Sequence, residues 1–259
     1  MTLATSNPAF NHEMFANYEQ VYGTTRSTAM TIQGTIGKTF ALLAILSATA
    51  IYTWTETANG HLQGVVLPAA GIGGFILAMI TIFRPSVSPW TAPVYAAFEG
   101  VFLGALSCLI ENSMLDQLGQ PRYPGIAIQA VSMTAGTLFV MLFVFATRLV
   151  RVTDRLRAGI VGATGALCLV YMIAFVASFV FRAHVPFIND PSPIGIGFSV
   201  FVVGLAAFNL LLDFDFIEKG AQAGAPKYME WYGAFGLMVT LVWLYLEILR
   251  LLRKFQDRR

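Results

Sequence analysis

Seven apolar runs, most of them close to the ~20 residues that an α-helix needs to cross ~30 Å of hydrocarbon, constrain this chain more than anything else in it. They extend from Thr39 to Trp54, Val65 to Phe83, Trp90 to Ile110, Ile126 to Thr147, Ala158 to Phe181, Ile194 to Leu212 and Trp231 to Leu252. Turn-forming residues separate them: Asn59-Gly60, Pro85 with Pro89, Pro121 with Pro124, Asn189-Asp190-Pro191 with Pro193, and Gly220 through Pro226. Of 259 residues 56% are hydrophobic and only 12% charged, which is more apolar surface than a soluble core of this size can hide. The expected fold is all-α, a polytopic membrane protein with seven helices in the lipid bilayer. Its boundaries read as a polar N-terminal tail over 1–37, a transmembrane domain over 38–254 and a basic C-terminal tail over 255–259.

Several function classes are excluded by what is missing. A net charge of +2 is too mild for nucleic acid, and the basic residues sit where membrane-flanking charge belongs. A retinal protein needs a lysine within its last helix, and none falls inside the seventh run. A membrane metalloprotease needs a His-Glu-x-x-His cluster, whereas His12, His61 and His184 all lie outside the runs. No enzyme chemistry and no cofactor is therefore expected. Cys108 and Cys168 both lie in apolar runs, which argues against a disulfide framework. The N-terminus lacks the basic start and apolar stretch of a cleaved signal and is expected to be retained.

What the apolar runs do contain is acid. Glu99, Asp213, Asp215 and Glu247 lie in them or at their ends, while Arg84, Arg148 and Arg250 stand at run ends and no lysine falls within a run. Ionisable groups at membrane depth are costly and mark ion or proton paths, so an acidic inventory favours cations or protons. In Asn209-Leu-Leu-Leu-Asp213-Phe-Asp215-Phe-Ile-Glu218-Lys-Gly220 the two aspartates are about 200° apart on a helix, so only one is expected to face a given neighbour. Asp215, between two phenylalanines, is the better candidate; the alternative is that both acids are solvated at a helix end. Glu247, Arg250 and Lys254 share one helix face, and a local Glu247–Arg250 pair is the plainest reading there. Glu99 is as well placed for packing as for ion binding, because Gly100 and Gly104 form a small-xxx-small face. Arg84, before Pro85, reads as an interfacial anchor.

The pair Phe-Asp215 and Leu-Tyr-Leu-Glu247, with Glu99-Gly-Val-Phe-Leu-Gly104, resembles the transmembrane Bax inhibitor motif (Bax inhibitor-1) family. Asn7-Pro-Ala-Phe and Gly34-Thr-Ile-Gly-Lys-Thr39 are similar to its bacterial branch, and the resemblance covers nearly the whole chain. It implies a seven-helix bundle with the last helix central. It also implies a pH-sensitive Ca²⁺ leak of the inner membrane, controlled by two acids on the last two helices. By position these are Asp215 and Glu247, the second a glutamate where better-known relatives carry aspartate, and they would be the Ca²⁺ ligands. Asp213 joins them as a candidate ion-binding or pH-gate residue, and Glu99, Arg84 and Arg250 are supporting candidates. An arginine on the second helix can brace the acid pair in that family. Some bacterial members bind and restrain a membrane protease, so the rival reading is a regulatory protein whose N-terminal tail contacts such a partner. If the seventh helix begins at Trp231, Glu247 lies about 24 Å along it, and the two acids meet only if that helix begins nearer Gly236.

Arginine and lysine bias sets orientation, positive charge marking the cytoplasmic side. Arg148, Arg151, Arg155 and Arg157 outweigh every other short loop, placing that loop and the N-terminus inside, with Arg122 and Arg182 outside. Seven full crossings leave the basic tail outside, against the bias, and a re-entrant seventh segment is the alternative. A cysteine introduced at Thr153 should resist labelling by an impermeant reagent in intact cells; efficient labelling reverses the orientation.

Overall fold

The computed structural model describes residues 29–62, 64–112, 123–181 and 190–258. The N-terminal tail up to residue 28, including the Asn7-Pro-Ala-Phe motif, and Arg122, Arg182, His12 and His184 lie outside the described residues. Seven helices, all long and apolar enough to cross a membrane, follow one another: α1 (Ile32–Ala58), α2 (Val66–Phe83), α3 (Ser88–Asn112), α4 (Ile126–Ala146), α5 (Asp154–Phe181), α6 (Pro193–Gln222) and α7 (Met229–Asp257). A 3₁₀ turn, Pro85–Val87, joins α2 to α3. There is no strand among the described residues, and the expected all-α class holds.

Three helices, α1, α6 and α7, outrun their apolar runs by seven residues or more. The first begins at Ile32, seven residues before the expected Thr39, because Thr31 caps it by accepting from the Gly34 amide at 3.0 Å. The polar residues that made this stretch look like tail are satisfied within the helix: Thr35 and Thr39 donate their hydroxyls to the carbonyls of Thr31 and Thr35, both at 3.0 Å. At the other end of the chain, α6 runs ten residues past Leu212, and α7 continues to Asp257. Lys38, Lys219 and Lys254 consequently lie inside helices, correcting the expectation of lysine-free spans.

The helices fall into two compact units, each containing part of α6 and part of α7. One holds the described residues up to Ala127 together with Asp215–Val239. Here α3 packs against both α1 and α2. The hydroxyls of Thr81 and Thr91 bond at 2.7 Å across the α2–α3 turn, Ser88 donates to the Tyr228 carbonyl at 3.1 Å, and Tyr95 meets Phe235 edge-on at 5.0 Å. The other unit holds Ile128–Phe214 and Thr240–Arg259. Its core joins Ile160 and Leu167 of α5 to Val202, Leu205 and Leu212 of α6, with Trp243 of α7 packed against them.

Burial is distributed unevenly among the helices. In the most apolar window of α7, 72% of residues are buried, against 44% in α3 and α6 and 6% in α4. The small-residue face of α3 does what such a face is for. A Cβ on Gly100 would run into the Leu46 carbonyl and the Thr49 hydroxyl of α1, and one on Gly104 would run into the Ala50 backbone. Backbone cannot swing aside as a side-chain tip can. Gly104→Ala should therefore cost about 1–3 kcal/mol by forcing α1 and α3 apart. Gly136→Ala, where a Cβ meets nothing, should leave stability unchanged or slightly raised. Thermal unfolding of the detergent-solubilised variants checks this, and equal melting temperatures would remove the close approach as a packing determinant.

Candidate functional site

Every residue from 209 to 217 on α6 is buried, so the helix has no solvent-facing side over more than two turns. Asp213 is 0% exposed and Asp215 8%. The facing argument, which allowed only one of them to point inward, fails because the helix is covered on all sides here. The alternative of acids solvated at a helix end goes as well, since α6 continues to Gln222. One turn beyond Asp215, Lys219 donates to its carboxylate at 2.7 Å. One turn before Asp213, the Asn209 amide donates to the Thr164 hydroxyl of α5 at 3.0 Å and to the Leu205 carbonyl at 2.9 Å.

Glu247, 2% exposed, lies about 27 Å along α7 from Met229. The later start near Gly236, required for a gate shared with Asp215, does not form: α7 is continuous from Met229. Glu247 instead heads a network within its own unit. Arg250 Nη1 donates to Oε1 at 2.9 Å and to Oε2 at 2.8 Å, and the Tyr171 hydroxyl of α5 donates to Oε1 at 3.0 Å. The same Arg250 Nη1 donates to the Tyr171 oxygen at 2.8 Å, and its guanidinium lies 5.3 Å from the Tyr171 ring centroid. The local Glu247–Arg250 pair expected from spacing is present, and Tyr171 completes it.

Two further charged groups were hidden from sequence reasoning. Glu230, in the first turn of α7, is 0% exposed and accepts from the Thr31 amide at 2.9 Å, the Thr31 hydroxyl at 2.8 Å and Lys227 at 2.7 Å, with Lys38 of α1 as a further ion pair. Gly34 is what lets α1 come so close, because a Cβ there would overlap the Glu230 carboxylate. The Gly34-Thr-Ile-Gly-Lys motif thus has a physical reason: its glycine makes room for Glu230 and its lysine neutralises it. Lys254, read from sequence as part of the basic end of the chain, is 1% exposed and donates to the Gly195 carbonyl and the Ser199 hydroxyl of α6, both at 2.8 Å. An acid in the first turn of a helix and a lysine at i+7 from Glu247 were the available signals. Both look like ordinary helix-end charge until the neighbouring helices are known.

The remaining candidates are less committed to an ion. Glu99 is half-buried, lies against α2 where a Cβ on Gly74 would stand 3.3 Å from its Oε1, and shares a hydrogen bond with Tyr95. Arg84 is exposed at the C-terminal cap of α2, as an interfacial anchor would be. Both cysteines are free, Cys108 buried and Cys168 exposed. Among the described residues no three His, Cys, Asp or Glu side chains gather closely enough to hold a metal ion.

A family model described as Bax inhibitor 1 like matches residues 7–257, almost the whole chain. The chain belongs to the Bax inhibitor 1 like family. No curated protein and no solved structure matches it. As a multi-pass membrane protein of the Bax inhibitor 1 like family it carries Glu99, Asp213, Asp215, Glu230 and Glu247 all inside the matched region. The Glu230 cluster is testable without any assumption about function. Glu230→Ala takes the acceptor from the Thr31 amide and hydroxyl as well as from Lys38 and Lys227, and should cost about 1–3 kcal/mol. Gly34→Ala should destabilise in the same direction by displacing the carboxylate. Thermal melts read both, and wild-type stability in either variant contradicts the assignment.

Proposed function

We propose that the protein is a cation leak of the inner membrane, with its N-terminus cytoplasmic and Ca²⁺ as the ion, controlled by Asp215 and Asp213 on α6 and Glu247 on α7. The observation that carries this reading is the wholly buried stretch 209–217 with two carboxylates in it. Packing alone has no use for carboxylates there, since apolar residues of similar volume satisfy a buried helix at lower cost. A hard cation prefers oxygen ligands, and a conducting path needs binding strong enough to admit the ion and weak enough to release it. Asp215 and Glu247, each with an exchangeable ammonium or guanidinium, meet that requirement better than a closed cage does. Protonation changes the charge of the same groups, which makes pH sensitivity the expected accompaniment.

Purified protein in liposomes, assayed for Ca²⁺ flux over a pH series, tests the ion and the switch together. The rival reading, a regulator that acts by contacting a membrane protease or another membrane partner, predicts no flux from the protein alone. Asp215→Asn should alter the leak and its pH response more than Asp213→Asn, because Lys219 can swing away and yield Asp215 to an incoming cation. Equal, negligible effects remove α6 from the path. Asp215 and Glu247 each have their own cation, so Asp215→Asn and Glu247→Gln should shift the flux midpoint additively. Marked non-additivity would instead mean a shared proton or ion.

A further inference from the structure

Three arrangements outside the leak carboxylates themselves invite a role. Exposed Arg148, Arg151 and Arg155 surround the start of α5, but their position at a helix end already accounts for them as membrane-flanking charge. The Glu230 cluster is a structural clamp, with every group in it already satisfied by neighbours in the fold. The Tyr171–Glu247–Arg250 triangle is different, because one member is nearly sealed and another is not. Glu247 has a side-chain exposure of 2%, whereas that of Arg250 is 32%.

Resting on the leak reading, we propose that Arg250 is a tethered cation that occupies Glu247 in the closed protein, that Tyr171 is the residue positioning it there, and that a passing divalent cation must displace it. Arg250 delivers one nitrogen to both carboxylate oxygens and to the Tyr171 hydroxyl oxygen, so its charge is centred where an incoming ion would bind. Tyr171 holds it in two ways, by that oxygen and by its ring face. Guanidinium keeps its proton at any accessible pH, so this competitor is always present and can leave only by movement. Its side chain is 32% exposed and stands seven residues before the end of α7, so its long stem can carry the guanidinium toward the helix end. The other cation nearby cannot replace it: Lys254, seven residues on, is buried and committed to Gly195 and Ser199 in the first two turns of α6. Arg253 and Asp190 bear on Lys254, and neither is bonded to Glu247.

Competition between a tethered and a free cation changes how much Ca²⁺ is needed to reach half-maximal flux, a quantity that a purely structural role does not move in a fixed direction. In liposomes at constant pH, Arg250→Gln should lower the half-maximal Ca²⁺ concentration about tenfold, equivalent to ~1.4 kcal/mol of lost competition. Tyr171→Phe keeps the ring but loses both the acceptor for Arg250 and the donor to Glu247, so it should shift the same quantity in the same direction by less. Arg250→Lys should restore it most of the way to wild type. Melting temperatures measured in parallel identify any variant that fails to fold, in which case Tyr171→Phe alone decides. Absence of flux from the wild-type protein defeats the leak reading itself. Wild-type flux with an unmoved or raised half-maximal concentration in Arg250→Gln or Tyr171→Phe overturns the tethered-cation assignment and leaves the leak standing.

Discussion

Buried charge in an apolar chain must be compensated, and three of the buried acids, Asp215, Glu230 and Glu247, show how that is done here. An unpaired charge in a low-dielectric interior costs several kcal/mol, comparable with the whole net stability of a domain. Asp215 takes Lys219 from one turn further along its own helix, and Glu247 takes Arg250 from the next turn of α7. Glu230 takes Lys227 from just before its helix and Lys38 from α1. Local supply fixes only the pair. Supply from another helix also fixes the approach of two helices, and a Cβ on Gly34 would displace the Glu230 carboxylate where α1 meets it.

The last helix concentrates these obligations. Along α7, Glu230 is bonded to the first turn of α1, Glu247 to Tyr171 of α5 and Lys254 to Gly195 and Ser199 of α6. Apolar packing alone leaves helices in lipid free to slide, because lipid tails are as apolar as leucine and the hydrophobic effect does not distinguish one register from another. A charged or hydrogen-bonded tie with one partner does distinguish registers. In the first unit the Glu230 tie sets the start of α7 against α1, and in the second the Glu247 and Lys254 ties set its later part against α5 and α6.

The seven helices, their order and the family were legible in the sequence because ~20-residue apolar runs and short ordered motifs carry that information directly. Helix ends were not. Thr31 and Thr35 read as polar tail and Lys38 as the flank of the first run, yet threonine hydroxyls bond to their own helix carbonyls and Lys38 has a buried acid waiting on another helix. The Glu247–Arg250 pair was visible as i, i+3 spacing, whereas Tyr171, 76 residues away, carries no local signal at all. Helical-wheel geometry misjudged Asp213 and Asp215 for a specific reason. A wheel assumes one buried face, and residues 209–217 have no exposed one.

The pairs have a common asymmetry that bears on chemistry. Side-chain exposure is 0% for Glu230 against 20% and 50% for Lys38 and Lys227, 11% for Asp215 against 34% for Lys219, and 2% for Glu247 against 32% for Arg250. In each case the short acid is enclosed by protein and the long base that reaches it is more exposed. An acid so placed cannot escape to water, while its partner can withdraw along its own aliphatic stem at the cost of a partly screened ion pair. The carboxylates are therefore permanent sites and the cations on them are occupants. Whether an occupant is ever exchanged depends on how many restraints hold it, and this separates the three pairs. Two lysines and both donors of Thr31 converge on Glu230, which suits a joint. Lys219 and Arg250 each serve a single buried acid from an open side, which is the arrangement an ion path can use.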